Sequence, residues 1–259
     1  MKKINYNLII GFFITAFLML LIIIGFFYTP YNPETMSGAE KFMAPSFRHI
    51  MGTDKFGRDI FSRVLKGSGT TLLISLSTVF VGAVMGIIIG AFTGYFGGWI
   101  DEILMRFNDT LAAFPSIILA LVFISVLGPG KNNVILALGL AFIPSFARIV
   151  RSEFINYRDR DYVYSAKLMG AKSFRIIFRH ILPNAFPVIL SSVMIGFNNA
   201  ILAEASMSYL GIGVQPPNPS LGLMLSEAQG SLFTAPWCAI FPGVFIILLV
   251  LGFNLLSGE

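Results

Sequence analysis

The chain has 259 residues, of which 56% are hydrophobic and only 12% charged, with a net charge of +5 and a mean hydropathy of +0.79. Soluble domains carry about a quarter charged residues, so this composition excludes a globule coated in water and leaves an all-α, polytopic membrane protein. The basic balance fits loops facing the cytoplasm rather than nucleic acid, and the single cysteine, Cys238, excludes an internal disulfide and a cysteine-based metal cluster.

About 20 helical residues cover the roughly 30 Å hydrocarbon core. Six segments qualify: 7–28, 70–95, 103–127, 134–152, 184–207 and 236–256. The first follows Lys2 and Lys3. Its apolar run, Leu8–Phe27, exceeds a signal-peptide core of about 7–15 residues. No small-x-small site precedes Pro30, so this is expected to be an uncleaved span with Lys2 and Lys3 inside. Six spans then place both termini in the cytoplasm and segments 29–69 and 208–235 outside. Basic residues between Arg148 and Arg179 agree with that orientation. Segment 29–69 is mixed, and its Lys and Arg residues are expected to pair with Asp54 and Asp59. The organisation expected is an N-terminal span plus extracytoplasmic segment over 1–69, then a transmembrane domain over 70–259 with a cytoplasmic loop at about 153–183.

In the second span Gly82, Gly86, Gly90 and Gly94 recur at every fourth position. That spacing puts a bare strip on one helix face, which allows another helix backbone to approach closely. The neighbour is a helix of this chain or of a partner, and the spacing leaves both open.

The loop after the fourth span interrupts an otherwise apolar chain. Tyr162–Met169 reads as a short helix stopped at Gly170, the residue type suited to a left-handed helix end. Ser173 is expected to cap a second short helix, Phe174–His180, ending before Pro183. Val163, Leu168, Met169, Phe174, Ile177 and Phe178 lie among Lys167, Lys172, Arg175 and Arg179. So many apolar groups on a polar loop imply that something covers them.

At these residues a resemblance emerges. Ser165-Ala166, Gly170 and His180-Ile181-Leu182-Pro183 are spaced as in the EAA loop of ATP-binding-cassette importer permeases. The block Arg179–Asn184 resembles the dipeptide, oligopeptide and nickel permeases in particular. Gly52–Arg63, Arg106–Asp109 with Ala113-Phe114-Pro115, and Glu204–Pro217 agree with that family, in the right order. Tyr164 stands where the family has the glutamate that names the loop, Leu221 where a tryptophan is usual, and relatives run on beyond Glu259 into a charged tail. The resemblance implies a type I importer permease fold in a bacterial plasma membrane. It also implies a heterodimer with a second permease, two cytoplasmic ATPase subunits and an extracytoplasmic binding protein. On that reading Asp161, Tyr164, Ser165, Ala166, Gly170, Ala171, Phe174, His180, Leu182 and Pro183 form the ATPase-docking loop. The substrates implied are peptides, or alternatively nickel or a metal chelate.

The chain has no Gly-Lys-Ser/Thr phosphate loop, so ATP and Mg²⁺ are expected on partner subunits, with no cofactor, catalytic residue or metal site here. An ion-coupled transporter would show paired acids at the midplane and internal repeats, and neither is found. A membrane-embedded protease would show Gly-x-Ser-x-Gly or His-Glu-x-x-His, also not found. Acids in spans are costly unless paired or wetted. Arg106, three residues before Asp109, is expected to neutralise it. Glu204 has no evident local partner and is expected to line the pathway, bind a substrate amine or cap the helix break at Gly211. Arg58 and Asp59 are expected to shape an outer vestibule.

Overall fold

The computed structural model describes residues 6–257; Lys2, Lys3 and Glu259 lie outside them. The described residues form helices and turns, with one isolated bridge between Thr53 and Asp59. Ten α-helices follow in chain order: α1 Tyr6–Phe27, α2 Ile60–Phe96, α3 Gly98–Ala112, α4 Ser116–Leu127, α5 Lys131–Arg158, α6 Asp161–Leu168, α7 Ser173–Arg175, α8 Leu182–Tyr209, α9 Leu221–Ala228 and α10 Trp237–Ser257. A π-helical turn, Ile176–Ile181, joins α7 to α8.

Among the described residues, five helical stretches are long and apolar enough to cross a membrane: α1, α2, α5, the run Ser173–Tyr209 and α10. The expected third span is not one helix. It is α3 and α4, bent by 91° across residues 113–115. Pro115 cannot continue α3, because it lacks the amide hydrogen and its ring crowds the preceding turn. The second span also starts earlier than expected, at Ile60, so residues 60–69 are the first turns of α2 rather than loop.

The chain forms two compact units. One comprises Met1–Leu76, Ile124–Ile135 and Phe197–Glu259; the other comprises Ser77–Phe123 and Leu136–Gly196. In the first, α1 packs on α10 through glycines: a Cβ added at Gly11 would stand 2.6 Å from Leu255 Cβ, and one at Gly252 would stand 2.6 Å from Thr15 Oγ1. In the second, the glycine strip of α2 lies on α5 of the same chain. A Cβ at Gly82 would stand 3.0 Å from Phe142 Cβ, one at Gly90 2.5 Å from the Ala147 carbonyl oxygen, and one at Gly94 2.5 Å from Phe154 Cβ. Gly86 faces Phe146 at least as closely. The bare strip lets these backbones approach, as small residues do in membrane helix pairs.

Candidate functional site

The loop between α5 and α8 is a folded elbow. α6 ends in a Schellman motif: Ala171 N–H donates to the Ala166 carbonyl and Gly170 N–H to Lys167, both at 3.0 Å, with Gly170 at φ +80°. A side chain is strained in that left-handed conformation, which is why glycine stands there. The second helix departs from expectation at both ends. Lys172, not Ser173, occupies its N-cap position, without a side-chain cap bond. Nor does it stop before Pro183. The wider π turn, in which Leu182 N–H reaches the Ile177 carbonyl, carries the backbone into α8, so Pro183 lies within the continuous helical run Ser173–Tyr209. Asn184 Nδ2 returns to the His180 carbonyl at 2.6 Å.

The six apolar residues expected on the surface divide. Val163 and Ile177 are buried, with Ile176, Ile181, Ala185 and Ile189, against Ala91 of α2 and Val150 and Phe154 of α5, and Ala166 is buried as well. Burying each of the larger aliphatic side chains is worth about 1.5–3 kcal/mol, so the elbow is held as a rigid body. Ala166, expected on the docking surface, therefore lies beneath it. Leu168 and Met169 stand 90% and 81% exposed beside the Gly170 corner, with Phe174, Phe178, Tyr162 and Tyr164 also exposed. Phe174 stacks on Phe178 at 6.1 Å and meets Phe92 edge-on at 5.9 Å. Lys167 Nζ lies 5.3 Å from the Tyr164 ring centroid and 5.7 Å from that of Tyr95. Thus Tyr164 receives a cation through its ring face. Partial burial raises the Tyr162 phenol above its ordinary pKa. Asp161 and Ser165 are exposed, Ser165 Oγ donating back to the Asp161 carbonyl at 2.9 Å, while Ala171, His180 and Leu182 are half-buried.

The residues expected at a vestibule are interior. Arg58 Nε donates to Asp54 Oδ2 at 2.7 Å and Arg63 Nη1 to the same oxygen at 2.5 Å, while both guanidinium groups reach Glu227 Oε2 on α9 at 2.8 Å. Asp59 accepts from Ser62 N–H at 2.8 Å, capping α2, and from Ser62 Oγ at 2.7 Å, and it pairs with His49 Nδ1 at 2.9 Å. The expected pairing of Asp54 and Asp59 with this segment's basic residues thus holds for Asp54, whereas Asp59 takes a histidine. Arg58, Asp59 and Arg63 are each under 5% exposed. Sequence reasoning missed Glu227, since nothing near it in the chain signals Arg58 in the loop before α2 or Arg63 on α2.

Glu204 is fully buried, and its local partner is Ser208, one turn on, whose hydroxyl donates to Oε1 at 2.7 Å. Thr71 and Ser220 also face this carboxyl. Nor does Glu204 cap the helix end: α8 closes through its own backbone, with Ile212 N–H on the Met207 carbonyl at 3.2 Å and Gly211 N–H on Ser208 at 3.1 Å. Asp109 pairs with Arg148 at 2.8 Å rather than with Arg106, which takes Glu102 instead, at 2.7 Å.

Residues 82–258 match the family described as the inner membrane component of binding-protein-dependent transport systems. The chain belongs to this family. It is 38% identical to the dipeptide transport system permease protein DppC of Alkalihalophilus pseudofirmus, over 99% of this chain and 84% of that one. It is 41% identical to the glutathione transport system permease protein GsiD of Pectobacterium atrosepticum, over 93% and 81%. The fold is similar to that of the MetNI methionine transporter in an inward-facing conformation, with a TM-score of 0.63 at 18% identity over 76% of this chain and 93% of that one. A second amino acid ABC transporter aligns with a TM-score of 0.58 at 18% identity, over 76% and 91%. As a member of the family, the protein is a multi-pass, non-catalytic permease subunit of an ATP-binding-cassette importer, a system that also comprises ATPase and binding-protein components.

Proposed function

We propose that this permease subunit carries small peptides across a bacterial plasma membrane, with both termini cytoplasmic. It pairs with a second, homologous permease, takes substrate from an extracytoplasmic binding protein, and receives force from two cytoplasmic ATPases at the α6–α8 elbow. The observation that carries this reading is the elbow itself: Leu168, Met169, Phe174 and Phe178 stand exposed on a segment whose other face is locked into the core. A rigid lever with an apolar tip among Lys167, Lys172, Arg175 and Arg179 suits a protein partner better than lipid or water. The residues offered to that partner are Asp161, Tyr164, Ser165, Gly170, Ala171, Phe174, His180, Leu182 and Pro183, with Leu168 and Met169 added. Ala166 supports the lever from beneath.

Peptide cargo is favoured because relatives near 40% identity carry dipeptide and glutathione in their names. ATP acts by population shift. Nucleotide binds one arrangement of the ATPases better, and a stiff elbow passes that bias to the spans. The test is reconstitution of the tagged permease with its copurifying partners in proteoliposomes. Peptide-loaded binding protein is expected to stimulate ATP hydrolysis and uptake. Absence of any copurifying ATPase, or stimulation by nickel-loaded but not peptide-loaded binding protein, would overturn the respective part of the reading.

A further inference from the structure

We propose that α3 is an interfacial anchor: its Trp99–Ile103–Phe107 face lies in the boundary between lipid headgroups and acyl chains, beside the elbow. At about 100° per residue, α3 divides into three sectors. One faces the protein: Asp101 takes both Nε and Nη2 of Arg151 at 2.6 Å, Met105 is buried, and Asn108 reaches the Pro144 carbonyl at 3.3 Å. A second sector is polar, with Glu102, Arg106 and Asp109 in exposed ion pairs. The third is apolar and bare: Trp99 is 76% exposed and Phe107 67%, with Ile103 between them.

A helix carrying four ionisable residues in 15 is a poor span, because charges at the bilayer centre are costly. The next helix, α4, has no charged residue, which suits hydrocarbon. The 91° bend between them means that an α4 aligned with the membrane normal lays α3 in the membrane plane. The apolar and polar sectors lie side by side, as an interfacial helix requires, and tryptophan is the residue type enriched at that depth. The start of α3 also follows directly on Phe92, Tyr95 and Gly94, which hold Phe174, Lys167 and Arg158 of the elbow region. Anchoring α3 thereby fixes the depth at which the elbow meets water. The covering partner is lipid rather than protein on these grounds, and the inference goes beyond the importer reading without depending on its substrate.

The experiment places nitroxide labels on the assembled complex in lipid nanodiscs, one at a time, at Ile103→Cys, Phe107→Cys, Glu102→Cys and Arg106→Cys in a Cys238→Ser chain. Collision with oxygen, which enriches in lipid, is compared with collision with aqueous nickel(II) ethylenediaminediacetate. The oxygen-to-nickel ratio at positions 103 and 107 is expected to exceed that at 102 and 106 several-fold. Equal, high nickel access at all four positions would overturn the proposal. So would loss of access to both reagents at 103 and 107, which marks a covering protein. Either failure leaves the family assignment and the peptide reading intact.

Discussion

The segment 52–63 and the elbow 161–178 invert one another. In the first, Asp54, Arg58, Asp59 and Arg63 are interior, held by each other, by His49 and by Glu227. In the second, Leu168, Met169, Phe174 and Phe178 are outside. The energetic consequences differ accordingly. A buried charge network is intolerant of losing one member, because the remaining charges stay desolvated without compensation. An exposed apolar tip contributes little to folding, and its value is realised only when a partner covers it. Stability and function should therefore separate cleanly between the two segments.

The largest effect is expected from Asp54→Ala. It strips a shared acceptor from Arg58 and Arg63 and removes the carboxylate bonds to the Phe56 and Arg58 amides. Loss of one partner of such a buried group costs about 3–5 kcal/mol, read as a fall in thermal unfolding temperature of the purified protein in detergent. A variant as stable as the wild type would undo the contrast. Next come Gly86→Ala and Gly90→Ala, each expected to destabilise by about 1–3 kcal/mol through overpacking against α5. Gly82→Ala should cost less, since its Cβ would meet Phe142 Cβ at 3.0 Å, whereas at Gly90 it would meet the Ala147 carbonyl oxygen at 2.5 Å and at Gly86 Phe146 Cβ more closely still. An equal cost at the three positions would mean that the strip is not graded as the backbone approach indicates.

Much of this was readable from the sequence, for local reasons. Apolarity over about 20 residues is a local property, so α1, α5 and α10 fall close to the expected segments. The corner at Gly170 is likewise set by one residue's backbone freedom. The misses have a common cause. Glu227 lies 169 residues from Arg58 and 164 from Arg63, and no nearby pattern announces such a pair. Arg106 could have reached Asp109 or Glu102, and which bond forms depends on Arg148 arriving from α5. The break between α3 and α4 carries a local signal: Pro115 follows a helix with four charged residues, which is inconsistent with a straight span from 103. In the elbow, the 163/166 and 177/181 spacings marked the buried stripe, although the surrounding basic residues suggested wholesale exposure.

The smaller effects sit in the elbow and test the functional half of the contrast. Leu168→Asp with Met169→Asp should change stability by no more than about 0.5 kcal/mol, as surface substitutions do, yet abolish ATP-driven uptake in proteoliposomes. Unimpaired uptake by that normally expressed double variant would remove the apolar tip from the coupling mechanism. The least perturbing change is Tyr164→Glu. Lys167 already stands at i+3 over the Tyr164 ring, and an acid there would exchange a cation–ring contact for a helix-surface ion pair worth about 0.2–0.5 kcal/mol. Uptake should be retained and the unfolding temperature nearly unchanged. If uptake instead collapses, the aromatic ring itself is part of the docking surface, and coupling at this position rests on aromatic contact that an ion pair with Lys167 does not replace.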